Sequence, residues 1–283
     1  QFPEGIDIPV YPFAPLPLLK DMIPRVNKTL KKTKEGREIA EQYLKETPAW
    51  CEDMKIRIKN MKTKSELLSL WKSELWPYNL KAFWVGNAQA RKFESIFKLN
   101  QDLIKLLGTE DANALLSNLR GGSELASLGP VIGISKIIKG EMSREEYLKQ
   151  QGHRGPHEFE LSIPDPSEDT SWLEKQIESF EKSDIDIRGL LKKQETQYAG
   201  AWRKYKERFP DKVKSMEKKL AKAAEGSRAR ETYRSEWTRV FRVNRAFALK
   251  AGELSGVGDE VFFLYIDEIL DLLGGNDTAV KHI

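Results

Sequence analysis

Apolar residues recur every three or four positions along almost the whole chain, the spacing that gathers them on one side of an α-helix. The longest such stretch runs from Lys64 to about Leu107. In it Leu67, Trp71, Leu75, Tyr78, Ala82 and Val85 form one stripe directed at a core. Pro77 is expected to bend this helix, because its ring meets the carbonyl four residues back and it has no amide donor. Gly86-Asn87 is a second place where the helix could break. Upstream, Pro24 interrupts or kinks a first helix, and Ile39, Tyr43 and Leu44 share a face of Glu35–Glu46. Thr47-Pro48 then reads as a cap and a first-turn proline opening a helix through Met61.

The same logic continues downstream. Thr109-Glu110-Asp111 starts a helix ending at Gly121-Gly122, Ser143 starts a short one to Gln150, and Asp169 or Thr170 starts one through Phe180. Ile187, Leu191, Tyr198, Trp202, Tyr205 and Phe209 mark an amphipathic helix closed by Pro210. Residues 211–254 are helical in period and densely basic, and Asp267–Leu273 makes a last short helix. Two segments depart from the helical period. Glu158-Phe159-Glu160-Leu161-Ser162 alternates and Val261–Tyr265 is a short apolar run, so 158–162 and 261–265 are candidates for one short two-stranded β element. The expected fold is therefore mainly α, a multi-helix domain with long kinked helices. Gln1–Pro17 holds five of the thirteen prolines and predicts an extended segment laid over a surface. Residues 18–283 then form the helical domain, and any subdivision of it falls near 140–170. Both ends, Gln1 and Asp277–Ile283, read as cut from something longer.

Composition narrows the function. The net charge of +4 arises from 47 basic and 43 acidic residues, a balance too even to call for nucleic acid. The single cysteine, Cys51, excludes an intramolecular disulfide and a thiolate metal cage, and the reducing cytoplasm is the expected location. Cys51 itself reads as a small apolar residue in a packed helix. No apolar run approaches the roughly 20 residues of a membrane span, so no membrane partner is expected.

Chemistry-bearing residues are few. His153 and His157 stand four apart with Gly155-Pro156 between them, which does not hold them on one helical face, and no metal site is expected. Gly129–Lys136 has the wrong residue order for a phosphate loop and reads as an apolar helix. Two clusters remain. In Gly152–Ser162, glycines place Arg154 on an irregular tip, where it meets a carboxylate or phosphate ligand or is clamped by Glu158 or Glu160. Spacing alone favours the clamp. In the second cluster Arg234, Thr238, Arg242 and Arg245 form a basic stripe beside Trp237 and Phe241, suited equally to a phosphoryl group and to a solvated face. Arginines among aromatics also suit single-stranded nucleic acid.

Three blocks carry a family resemblance. Tyr147-Leu148-Lys149-Gln150-Gln151-Gly152-His153-Arg154-Gly155-Pro156-His157-Glu158-Phe159-Glu160-Leu161-Ser162 resembles a segment in the middle domain of phosphoenolpyruvate-synthase and rifampin-phosphotransferase-like enzymes. Tyr233-Arg234 through Asn244-Arg245 resembles their tyrosine-arginine helix, and Asp259–Ile269 resembles a further segment, in the same order. The resemblance implies an ATP-dependent phosphotransferase (dikinase) working through a phosphohistidine relay. In such enzymes an ATP-grasp domain charges a histidine on a swivelling carrier domain, and a third domain binds the acceptor. This chain is similar to that third part. No cofactor is then expected on the chain itself, with ATP and Mg in the parent enzyme. Its partners would be a small-molecule acceptor and the ATP-grasp and carrier domains. Arg239, Arg245 and Arg234 are implied as the catalytic arginines steadying the phosphoryl group. His153, Arg154, Glu158, Tyr233, Trp237 and Asn244 are implied in acceptor binding. The alternative class is a helical interaction module binding protein or nucleic acid through 211–245.

Overall fold

The computed structural model describes residues 15–117, 129–183 and 187–282. Eleven α-helices are described: α1 Pro15–Glu38, α2 Ala40–Asn60, α3 Lys64–Leu70, α4 Trp76–Leu107, α5 Thr109–Ser117, α6 Gly129–Ile138, α7 Arg144–Gln151, α8 Thr170–Lys182, α9 Ile187–Arg208, α10 Val213–Ser255 and α11 Ile266–Leu273. The mainly α expectation is met. Helix α10 is the spine: its 43 residues rise about 1.5 Å each, long enough to serve three cores in turn.

Near its start, Met216, Leu220 and Ala223 pack with Leu99 and Leu103 of α4, Leu115 of α5 and Tyr205 of α9. In its middle, Tyr233 meets Tyr43 of α2 and Ala82 and Val85 of α4. Its last third places Val240, Val243 and Phe247 against Met54 and Ile58 of α2, Leu67 of α3 and Ile269 of α11. Helices α6, α7 and α8 bury a separate cluster of Ile134, Ile137, Tyr147, Leu173 and Ile177. They join α10 through the irregular connection 152–169.

Local chemistry accounts for the boundaries. Thr63 starts α3 with a capping box, its hydroxyl accepting from the Glu66 amide while the Glu66 carboxylate accepts from the Thr63 amide. Ser143 and Asp169 cap α7 and α8 through their side-chain oxygens, as the sequence indicates. Pro77 falls in the first turn of α4, directly after a π-helical turn at Trp71–Leu75 in which the Trp76 amide bonds the carbonyl five residues back. The widened turn makes room for the proline ring, so the chain stays helical through it.

Several expectations are corrected. Among the described residues there is no strand. Segment 158–162 is a run of turns in which the Glu158 and Leu161 carbonyls accept from arginines of α10, which removes them from any ladder. Segment 258–263 is a 3-10 turn seated on α10 by buried Val261. Helix α2 does not begin at Thr47-Pro48 but runs through it from Ala40. Thr47 is wholly buried, and its hydroxyl donates to the Tyr43 carbonyl at 2.6 Å with Tyr78 Oη 2.8 Å away. Thus the hydroxyl is satisfied by the preceding turn and does not act as a cap. Gly86-Asn87 does not break α4. The extended opening segment falls outside the described residues except for 15–17, which already belong to α1; the helix end at Gly121-Gly122 also lies outside them.

The 3-10 turn presses its backbone onto α10 at Gly252, where a Cβ would lie 2.2 Å from the Gly258 carbonyl oxygen. Gly252→Ala is expected to push the turn off the helix and cost about 1–3 kcal/mol, read as a lower midpoint in chemical denaturation. An unchanged midpoint would mean the turn yields freely.

Candidate functional site

The loop 152–169 lies on α10 because one buried side chain collects its carbonyls. Arg242, 2 % exposed, donates to the carbonyls of His157 at 3.0 Å, Glu158 at 3.1 Å and Ile163 at 3.1 Å. Its Nε is 3.9 Å from the carboxylate of buried Asp165. Asp165 in turn accepts from the amides of Ser167 and Glu168, which closes the turn leading to α8. Burial pulls the Arg242 guanidinium down from its ordinary value, with the Asp165 carboxylate opposing the fall. Arg245 continues the anchoring: its Nε donates to Glu168 at 2.7 Å, its Nη1 to the Leu161 carbonyl, and its guanidinium covers the Phe262 ring. The stripe expected to be either a phosphoryl site or a solvated face is therefore mostly neither.

The anchored loop holds a second charged group. Arg154 and Glu158 are both buried and 2.6 Å apart, and Arg234 reaches the other Glu158 oxygen at 2.9 Å. The clamp preferred from spacing is present, with a second arginine added. Two guanidiniums on one carboxylate leave a net positive charge, carried outward by half-exposed Arg234.

That charge borders a cleft of about 550 Å³ between α4 and α10. Phe83, Gly86, Asn87 and Gln89 form the α4 wall, and Arg230, Tyr233, Arg234 and Trp237 form the α10 wall. Phe159 closes it from the loop. The aromatic rings support one another: Phe159 lies 5.6 Å from Trp237 and 5.2 Å from Phe241, and Trp237 lies 5.7 Å from Tyr233. Phe83 and Phe159 remain 52 % and 43 % exposed. Tyr233 can approach α4 only because residue 86 is glycine, where a Cβ would meet the phenol oxygen at 2.2 Å. Its hydroxyl donates to the Ala82 carbonyl at 2.7 Å, and burial raises its pKa, so it is an anchored wall group.

The residues singled out from sequence thus separate. Tyr233, Arg234 and Trp237 line the cleft, with Arg154 and Glu158 behind Arg234. His153 is buried beneath, its Nε2 2.7 Å from Ser235 Oγ. Arg239 donates to the Gln150 carbonyl at 3.1 Å and pairs with Glu236 at 3.2 Å. Asn244 exchanges reciprocal hydrogen bonds with Asn79 at 3.1 and 2.9 Å. Arg239, Asn244 and Arg245 line no part of the cleft; they fasten α10 to its neighbours. Sequence reasoning passed over Phe83, Gln89 and Phe159 as cleft residues. The available signal was Phe83 three residues before Gly86-Asn87, on the face adjoining the Ala82–Val85 core stripe.

Among the described residues the cleft lining holds no histidine, cysteine or carboxylate. Burial, with Arg239, Arg154, Lys55 and Arg242 nearby, drives the His153 pKa down to about 2. Burial likewise pushes the Cys51 thiol up to about 12, which makes it an inert core group. No three His, Cys, Asp or Glu side chains among the described residues converge in a way that could hold a metal ion. No helix among them is long and apolar enough to cross a membrane. Comparison with protein-family models, curated proteins and solved structures finds no match.

Three outcomes are expected of variants here. Arg242→Met should cost about 3 kcal/mol or more in chemical denaturation and open 152–169 to proteolysis, because it strands Asp165 and several carbonyls. Arg234→Ala should cost less than about 1 kcal/mol, since its pair is half exposed and Glu158 keeps Arg154. The third concerns pH. Folded His153 stays neutral while the unfolded imidazole takes a proton near its ordinary 6.5, so stability is full above that value and falls as pH drops from 6.5 toward 2. The loss approaches about 1.4 kcal/mol per pH unit for this group. In His153→Gln the slope of stability between about pH 6 and pH 4 should flatten by close to one proton; an unaltered slope would place the titration elsewhere.

Proposed function

We propose that this chain is the acceptor-binding domain of a multidomain ATP-dependent phosphotransferase working through a phosphohistidine relay, and that the α4–α10 cleft receives a small organic acceptor. One observation carries the reading. Phe159 of the glycine-histidine-arginine block and Tyr233, Arg234 and Trp237 of the tyrosine-arginine block are distant in sequence, yet they wall a single cavity. Its size falls within the roughly 300–1,000 Å³ of small-molecule sites, and its mixture of aromatic walls with a few polar groups is the usual composition of one. In this reading the rings stack the acceptor, and Arg234 faces the charge that develops as phosphoryl is transferred. Arg242 and Arg245 hold the loop that brings Phe159 to the cleft, and Arg239 ties the end of α7 to α10. ATP and Mg belong to the companion domains, and the cytoplasm is the compartment.

The second reading, an interaction module, draws on Lys212, Lys214, Lys218, Lys219 and Lys222, all exposed along the start of α10. Polyanion binding with a steep salt dependence would favour it.

The deciding experiment expresses the open reading frame containing this sequence and follows label from ATP. Phosphohistidine outside residues 1–283 is the expected result. In the same protein Arg234→Ala should slow transfer from that histidine to acceptor at least about tenfold while leaving its charging by ATP unaffected. No labelled histidine would sink the relay, and equal transfer rates would remove Arg234 from it.

A further inference from the structure

Two stripes border the cleft and change character in the same direction. On α10, Arg230, Arg234, Trp237 and Phe241 follow at intervals of four, three and four residues. On α4, Asn87, Phe83, Leu80 and Trp76 repeat those intervals backward along the chain. Such spacing keeps each set on one face of its helix. The helices are antiparallel where they meet, since Tyr233 bonds the Ala82 carbonyl and Asn244 bonds Asn79. Both stripes therefore run from polar to apolar toward the same end, which Phe241 and Trp76 occupy. The α4 stripe continues past the cleft, with Leu80 and Trp76 40 % and 50 % exposed. Single exposed apolar residues are ordinary, but a continuous stripe of them marks a contact site. The polar end is cationic. Arg230 and Arg234 line it, Arg154 and Arg234 share the one carboxylate of Glu158, and no carboxylate lines the cleft among the described residues.

We infer that the cleft takes an elongated amphiphilic acid of the long-chain carboxylate class. The acid lies against Arg234, the chain passes between Phe83 and Trp237, and its end follows Leu80 to Trp76. From Asn87 to Trp76 the helix rises about 16 Å, which fits a narrow extended body better than a compact ring system. The arginines line a concavity between two helices, which a single molecule can enter and a bilayer surface cannot follow. The inference rests on the reading that the cleft binds a small organic acceptor, and it adds the class of that molecule. Each stripe is present in the sequence of its own helix, but only the antiparallel pairing turns the two gradients the same way.

Titration calorimetry on the full chain, below micelle-forming concentrations, compares octanoate, decanoate and dodecanoate with 1-decanol and with phosphatidylglycerol vesicles. Each methylene lying in a groove open on one side should gain about twofold, half in free energy of what full burial gives. Dodecanoate should therefore bind at least about tenfold more tightly than octanoate. Decanoate should exceed 1-decanol at least about fivefold through Arg234, although the alcohol is the more apolar of the two. Arg234→Gln should erase that preference and keep the length dependence. Trp76→Gln should cut the gain from octanoate to dodecanoate to about threefold or less and leave octanoate within about twofold. Phe263→Ser, at an exposed ring outside the cleft, should alter neither. Tighter binding of the alcohol, affinity that does not grow with chain length, or loss of binding in Phe263→Ser each overturns the inference. Binding confined to the vesicles overturns it too and makes the stripe a membrane contact. The length and head-group comparisons need no variant, so a variant that fails to fold does not remove the test. Failure of all three acids to bind at millimolar concentration also overturns the inference. The acceptor reading of the cleft is judged separately, by the effect of Arg234→Ala on transfer in the labelling experiment.

Discussion

A guanidinium buried in the side of a long helix governs how this molecule is put together. Arg242 brings a full charge into a place where burial alone would be strongly unfavourable. It is tolerated because the carbonyls of His157, Glu158 and Ile163 and the carboxylate of Asp165 surround it. The dependence runs both ways. Those carbonyls belong to a loop with no regular structure of its own, and without the arginine they would need water or a ladder partner. A loop fastened at so many points holds its remaining side chains in fixed places. One of them is Phe159, the ring that closes the cleft.

The long α10 explains why cleft and cores are mechanically linked. It contributes to three separate apolar clusters along its length, and the cleft lies beside the middle one. There the packing is aromatic, with Tyr78, Tyr43, Tyr233 and Trp237 in sequence of contact. Such rings offer large rigid surface at small entropic cost, which gives the cleft a stiff wall. The charged residues around them divide by burial: Arg242 and Arg245 are turned inward as loop fasteners, whereas Arg234 keeps part of its guanidinium toward the cleft. Electrostatic character at the site therefore comes from which arginines remain exposed, and α10's total charge says little about it.

Much of the architecture was legible from periodicity. The stripe from Leu67 to Val85 is buried almost throughout, and the starts of α7 and α8 fall at the capping residues Ser143 and Asp169. These features are local: a helix face repeats every few residues, and a cap bonds an amide two or three positions on. Errors arose where a local signal was overruled by distant packing. Thr47-Pro48 looked like a helix start, but Thr47 is buried against Tyr78 from another helix. Gly86-Asn87 looked like a helix break, yet the glycine is there to admit Tyr233. The alternation at 158–162 looked like a strand, but the Glu158 and Leu161 carbonyls are claimed by Arg242 and Arg245.

The sequence by itself determined that the chain is helical, where most helices begin, which faces are apolar, and that loop 152–162 and the stripe 233–245 hold the concentrated polar chemistry. The tertiary structure decided where that chemistry is placed. Arginines at equal helical spacing are indistinguishable in sequence, and only the loop folded over α10 makes some of them buried anchors and leaves Arg234 at a cavity. The cavity itself is a property of two helices crossing at Gly86 and Tyr233, residues far apart in the chain. Spacing along one helix records its own faces; the space between helices is fixed only when both are in place.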